Sequence, residues 1–195
     1  MTMVLDVIMG VCWSVAYIAA VIVALKRRTW CFPALAICQN FSWELLAVIN
    51  EISAKRDFSV AFAIQITWLL LDVLILVIWL TFDKRNEGQL RKNIVILICV
   101  FVIMYILAYR GEFWGETSFV INAIMSAAFI WRIKVDKSSW TSYCVAINKL
   151  VGSLAATIGY GLIEKNILLL WIGGICLILD SYYLLILHQK DLLGG

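Results

Sequence analysis

The sequence predicts an all-α integral membrane protein, a single domain over residues 1–195 built as a seven-transmembrane helix bundle. Three observations carry that prediction. Hydrophobic residues make up 64 % of the chain against 15 % charged, with a mean hydropathy of +0.95, more apolar surface than a soluble domain of this length can hide. Apolar runs of bilayer-crossing length recur along the whole chain and leave no room for a folded soluble domain. The basic residues, finally, gather in alternate connections between those runs.

The spans are expected at 5–25, 31–51, 59–81, 93–110, 117–133, 140–162 and 167–188. The first ends in Lys26, Arg27 and Arg28 with no small-residue cleavage site, so it reads as a retained span and not a signal peptide. The second contains Pro33, the only proline, and is interrupted by the polar cluster Gln39, Asn40, Ser42 and Glu44. With no other proline, proline-hinged transporter helices are not indicated. The third and seventh share an echo: Leu-Leu-Asp-Val-Leu around Asp72 and Ile-Leu-Asp-Ser-Tyr around Asp180. The two aspartates fall at similar depth in spans running the same way, which suggests a parallel repeat, three helices on each side of a linking fourth. The connections are short, the longest running from Asp83 to Lys92, so sequential helices are expected to be antiparallel.

Charge then orients the bundle. The 1–2, 3–4 and 5–6 connections and the tail carry Lys26, Arg27, Arg28, Lys84, Arg85, Arg91, Lys92, Arg132, Lys134, Lys137 and Lys190, whereas the other side has Lys55, Arg56, Arg110 and Lys165. Eleven against four places the N-terminus outside or lumenal and the C-terminus cytoplasmic. The net charge of +3 is spread over short loops and gives no reason to expect nucleic acid as a partner. The expected partners are the lipid bilayer and a small molecule, with no obligate protein partner evident. Cysteines 12, 31, 38, 99, 144 and 176 lie mostly inside apolar spans without a CxxC spacing and read as small hydrophobes. His188 is the only histidine, so a multi-histidine metal site is excluded.

Four ionisable residues fall well inside the spans, away from their ends: Glu44, Asp72, Lys149 and Asp180. Helical rise puts the last three near the midplane and Glu44 nearer the outer side. Asn40 lies one turn before Glu44 on the same face. Three acids and one base cannot all pair, so at least one carboxyl is expected to be protonated and thus a proton donor. The structural alternative is an ion pair between Asp72 and Lys149, with Glu44 and Asp180 hydrogen-bonded to Asn40, Asn148, Ser or Tyr partners. Nine Trp, seven Tyr and nine Phe are the second feature. Trp30, Phe113, Trp114, Trp140 and Trp171 sit at span ends, as interfacial belts do. Trp43, Trp68, Trp79, Tyr143, Tyr160, Tyr182 and Tyr183 lie deeper, where ring faces can stabilise a cation.

The motifs that are missing narrow the chemistry. No DDxxD or DxDD stretch, Gly-rich phosphate loop, HExxH or GxSxG elbow occurs. Isolated carboxyls in an apolar pocket suit acid-initiated rearrangement of a lipid-like substrate better than hydrolysis or group transfer, and no metal or organic cofactor is implied.

Several stretches resemble a known family. Asn40-Phe41-Ser42-Trp43-Glu44 resembles the N-x-x-W-E motif of the small integral-membrane terpene cyclases of fungal meroterpenoid and indole-diterpene pathways and their bacterial relatives. Trp68 with Asp72 is similar to that family's third helix. Asn122-x-x-Met125-Ser126-x-x-Phe129-x-x-Arg132 is similar to its fifth, Lys149-x-x-Gly152 to its sixth, and Cys176-x-x-x-Asp180-x-x-Tyr183 to its seventh. The resemblance implies Glu44 and Asp180 as the catalytic positions. Asn40, Trp43, Trp68, Asp72, Asn122, Lys149 and Tyr183 are expected around the substrate, with Asn40 and Lys149 orienting or tuning the carboxyls. The fungal members are longer, so this chain looks more like a bacterial relative. That would put it in the plasma membrane, against the endoplasmic reticulum for a fungal chain.

The expected function is thus a non-metal, acid-initiated terpene cyclase of isomerase or lyase type in secondary metabolism. Glu44 would protonate an epoxide or alkene on a prenyl chain of a meroterpenoid or prenylated indole-type substrate. Asp180 would be a second acid, a holder of the epoxide oxygen or a stabiliser of positive charge. The rival readings are a small proton-coupled transporter using midplane carboxylates and a non-catalytic membrane scaffold.

Overall fold

A computed structural model describes residues 2–29, 32–55, 58–82, 87–110, 113–135 and 142–194. Trp30, Cys31, Arg56, Lys84, Arg85, Lys137 and Trp140, named above, lie outside the described residues. Seven helices follow one another: α1 (Thr2–Arg27), α2 (Ala34–Ser53), α3 (Val60–Phe82), α4 (Glu87–Met104), α5 (Trp114–Val135), α6 (Tyr143–Ala156) and α7 (Ile167–Gly194). Two of them end in wider π-helical turns: Tyr105–Arg110 continues α4 and Thr157–Ile163 continues α6. No strand occurs among the described residues.

Local chemistry accounts for the helix ends. Pro33, φ −59°, stands at the N-cap of α2, and the Ser142 hydroxyl caps α6 by accepting from the Val145 amide at 3.3 Å. Three helices are closed by a basic residue in the left-handed region: Arg28 (φ 50°), Lys55 (φ 51°) and Lys165 (φ 57°). Glycine is the usual occupant of such a position. A lysine or arginine there costs about 1 kcal/mol of backbone strain but keeps a charge at the bundle rim.

Five helices are long and apolar enough to cross a membrane: α1, α3, α4 with its π turns, α6 with its π turns, and α7. The sequence reading expected seven spans. The remaining two, α2 and α5, are diluted by polar residues, and those residues face inward. Gln39, Ser42 and Glu44 of α2 are buried, as are Thr117 and Ser126 of α5. On α1 the outward face is apolar instead, with Val4, Val7, Val11, Ile18, Ile22 and Leu25 exposed, the pattern of a lipid-facing surface.

Helix neighbours decide which polar groups can meet. α1 packs on α3 and α6, α2 on α3, α4 and α5, and α7 on α5 and α6. The contacts of α1 and α2 with α3 are matched by those of α5 and α6 with α7, and α1 with α6 is matched by α5 with α2. Close approach along these seams needs glycine. A Cβ on Gly10 would lie 2.7 Å from the Ile64 side chain, one on Gly152 2.7 Å from the Trp13 indole, and one on Gly161 2.8 Å from the Leu170 backbone.

Candidate active site

One face of α1 carries Asp6, Met9, Trp13 and Tyr17 at helical spacing, and all four line a cavity of about 280 Å³. Its other walls include Asn40, Trp43 and Glu44 of α2, Gln65 and Trp68 of α3, Trp114, Phe119 and Asn122 of α5, and Tyr160 beyond α6. Cross-contacts fix the levels along α1. Ile64 lies against Gly10, and the Trp68 indole nitrogen donates to Ser14 Oγ at 3.2 Å. Trp13 meets Gly152, and Tyr160 Oη donates to Asp6 Oδ1 at 2.9 Å. Asn40 bonds the Tyr17 hydroxyl through its Nδ2. The cavity therefore occupies the half of the bundle where α1, α3, α5 and α7 begin.

The four intramembrane ionisable groups are all sealed inside the protein, with exposures of 3 % for Glu44 and Asp72 and 1 % for Lys149 and Asp180. They separate into two clusters. In the first, Asn40 Nδ2 lies 3.4 and 3.5 Å from the two carboxylate oxygens of Asp72, besides its bond to Tyr17. Glu44, one turn on, faces the cavity, and its Oε2 is buried without a hydrogen-bond partner. The neighbouring Trp43 Nε1 and Gln65 Oε1 are in the same state.

The second cluster is closed on itself. Lys149 Nζ donates to Asp180 Oδ1 at 2.6 Å, to Ser126 Oγ at 2.6 Å and to Asn122 Oδ1 at 2.7 Å. Those bonds use its full complement of three donors. Asn122 Nδ2 donates to Ser153 Oγ at 2.9 Å, and Ser153 Oγ donates to Asp180 Oδ2 at 3.0 Å, completing a ring. Lys149 also lies 5.3 Å from the Trp13 ring centroid, a cation–π contact through the cavity wall.

This geometry corrects the expected ion pair. Lys149 pairs with Asp180 and not with Asp72, because α6 packs on α7 and α1 while α3 turns Asp72 toward α2 and Asn40. Of the residues expected at the site, Glu44, Asn40, Trp43, Trp68 and Asn122 line the cavity. Asp72 lies behind Asn40, and Lys149 and Asp180 lie behind Asn122. Tyr183 is buried farther off, its ring 5.3 Å from that of Phe129. Trp114, read from sequence as a belt residue, instead lines the cavity edge-to-face with Trp43, centroids 6.3 Å apart. Asp6, Trp13, Tyr17 and Gln65 were not anticipated. The spacing of Asp6, Met9, Trp13 and Tyr17 was the available signal for three of them. Among the described residues no three His, Cys, Asp or Glu side chains converge closely enough to hold a metal ion.

An apolar bundle around an aromatic-walled chamber, with the buried and unpartnered Oε2 of Glu44 facing it, defines a multi-pass membrane protein with a site for a largely apolar small molecule. Comparison with known proteins makes the assignment specific: residues 1–190 match the family model of Pyr4-like transmembrane terpene cyclases, and the chain belongs to that family. Among curated relatives, terpene cyclase nodB of Hypoxylon pulicicidum is 20 % identical, covering 90 % of this chain and 80 % of its own length. Terpene cyclase cle7 of Aspergillus versicolor is 24 % identical over 89 % and 81 %, and terpene cyclase esdpB of Penicillium shearii 21 % over 90 % and 80 %. No solved structure matches the chain. The protein is a membrane terpene cyclase.

Proposed function

We propose that Glu44 is the general acid that starts cyclisation of a prenyl chain folded in the cavity. The observation that carries this reading is the buried, unpartnered Oε2 of Glu44 facing an aromatic chamber. The O–H of Glu44 passes its proton to an epoxide oxygen or a terminal alkene. For the epoxide, the C–O bond breaks at the more substituted carbon and the positive charge moves to that carbon. Successive double bonds attack it, forming carbon–carbon bonds, and Trp13, Trp43, Trp68, Trp114 and Phe119 offer π faces to the migrating charge. Loss of a proton from the last cation gives the cyclic alkene and returns the acid, a net isomerisation. An epoxide opens under a weaker acid than an alkene requires and is the better substrate for a lone carboxyl.

Asn40, held by Tyr17 beside Asp72, keeps the α2 polar face turned into the cavity. Asp180 acts through others: it anchors Lys149 and Ser153, the two partners of the Asn122 carboxamide, and Asn122 is what the substrate meets. The substrate class is a prenyl chain on an aromatic or heterocyclic head, of meroterpenoid or prenylated indole type. In the membrane, all seven helices cross, with the N-terminus outside or lumenal. The matched helix contacts support a three-plus-one-plus-three repeat.

The test is product analysis on purified protein given an epoxyprenyl substrate. Cyclised product of unchanged mass is the expected result, and recovery of unconverted epoxide or of a diol alone would overturn the reading.

A further inference from the structure

The cavity has a second polar pole, which proton transfer from Glu44 does not use. Glu44 lies one turn from Asn40, which meets Tyr17, and so sits level with Trp13. Asp6 is seven residues back along α1, about 10 Å nearer the end where α1 begins. Acceptors line the cavity on the way to it. Tyr160 donates to Asp6 Oδ1, which leaves Oδ2 of the carboxylate and the lone pairs of Tyr160 Oη unused. Gln65 Oε1, buried without a partner, lies on the way from Glu44 to Asp6, since the Gly10–Ile64 contact sets Gln65 level with Val11. Ser118 Oγ gives its proton to the Gly115 carbonyl at 2.8 Å and can only accept. All four residues line the cavity.

We infer that Asp6 and Tyr160, with Gln65 on the approach from Glu44, form a head-group subsite that selects substrates whose head carries a hydrogen-bond donor, a phenolic O–H or a ring N–H. This deepens the proposed function and rests on its assignment of Glu44 to the reacting end. The prenyl chain runs along the Met9 and Trp13 face, its far end at Glu44 and its head at Asp6. A head without a donor displaces water from these half-buried acceptors and leaves them unpaired, and the site rejects it for that reason. Tyr160 is a positioning residue that holds the Asp6 carboxylate toward the chamber.

Binding tests this separately from catalysis. An epoxyfarnesyl phenol and its O-methyl ether are titrated against Glu44→Gln protein, with quenching of the cavity tryptophans as the readout. The phenol is expected to bind about tenfold tighter or better, the discrimination typical of one hydrogen bond to a charged acceptor. Adding Asp6→Leu should bring the two affinities within about twofold by weakening the phenol only. A ratio near one in Glu44→Gln, or an unchanged ratio after Asp6→Leu, overturns the subsite. If Asp6→Leu protein does not fold, Gln65→Leu carries the test: a reduced ratio supports the subsite and an unchanged one refutes it. A full ratio alongside no conversion of either compound by wild-type protein supports the subsite while refuting the acid assignment of Glu44.

Discussion

Replacing Lys149 by Met leaves the shape of the side chain largely intact and removes a charge that three acceptors share. Asp180 then loses its 2.6 Å partner inside the bundle, with only Ser153 still donating to it. Asn122 Oδ1 loses its 2.7 Å donor, while Ser126 keeps the bond it donates to the Asn122 carbonyl at 2.8 Å. Breaking a buried pair from one side costs about 3 to 5 kcal/mol, and the stranded amide oxygen places the loss toward the upper end. For a chain of this size each kcal/mol moves the melting temperature by about 2 to 4 °C, so a fall of about 6 to 20 °C is expected in detergent. The double variant Lys149→Met/Asp180→Asn removes the stranded charge and should regain most of the loss, a coupling that a double-mutant cycle measures directly. An unchanged melting temperature in Lys149→Met would refute the closed ring.

Three further outcomes follow from the same geometry. Asp180→Asn should fold but lose most activity or misdirect its products, read by product profiling, because Lys149 and Ser153 no longer hold the Asn122 carboxamide in place. Gly152→Ala drives a methyl group against the Trp13 indole; overpacking of this kind costs about 1 to 3 kcal/mol and should shift the product ratio more than it weakens folding, measured by melting temperature and product analysis together. Reporter fusions after Lys92 and Lys137 should read cytoplasmic and those after Arg56 and Lys165 the opposite side; a cytoplasmic reading after Arg56 would overturn the seven-crossing orientation.

The helices were legible because each apolar run is bounded by charge, and the seven observed helices fall on the seven expected spans. Helix neighbours were not. Helical rise sets Asp72 and Asp180 at similar expected depth, so depth alone could not tell which one Lys149 meets; the packing of α6 against α7 decides it. Glu44 was legible as a carboxyl inside an apolar run, a costly placement that asks for a reason. Asp6 gave no such alarm, since an acid in the first turns of a helix is ordinary. Its role emerges only when the end of α6 returns beside α1 and brings Tyr160 to it. Trp114 hid its part in the chamber for a related reason: a tryptophan at a span end fits an interfacial belt, and α5 begins where the chamber does.

Glu44→Gln, assayed for binding and turnover on one preparation, bears most directly on the catalytic assignment. Glutamine keeps the size and one oxygen of the side chain but has no acidic proton. The epoxyprenyl substrate should bind with nearly wild-type affinity and remain unconverted, with the rate down at least ~10² to 10⁴-fold, the range general acids supply. Cyclisation at the wild-type rate by Glu44→Gln would contradict the mechanism outright.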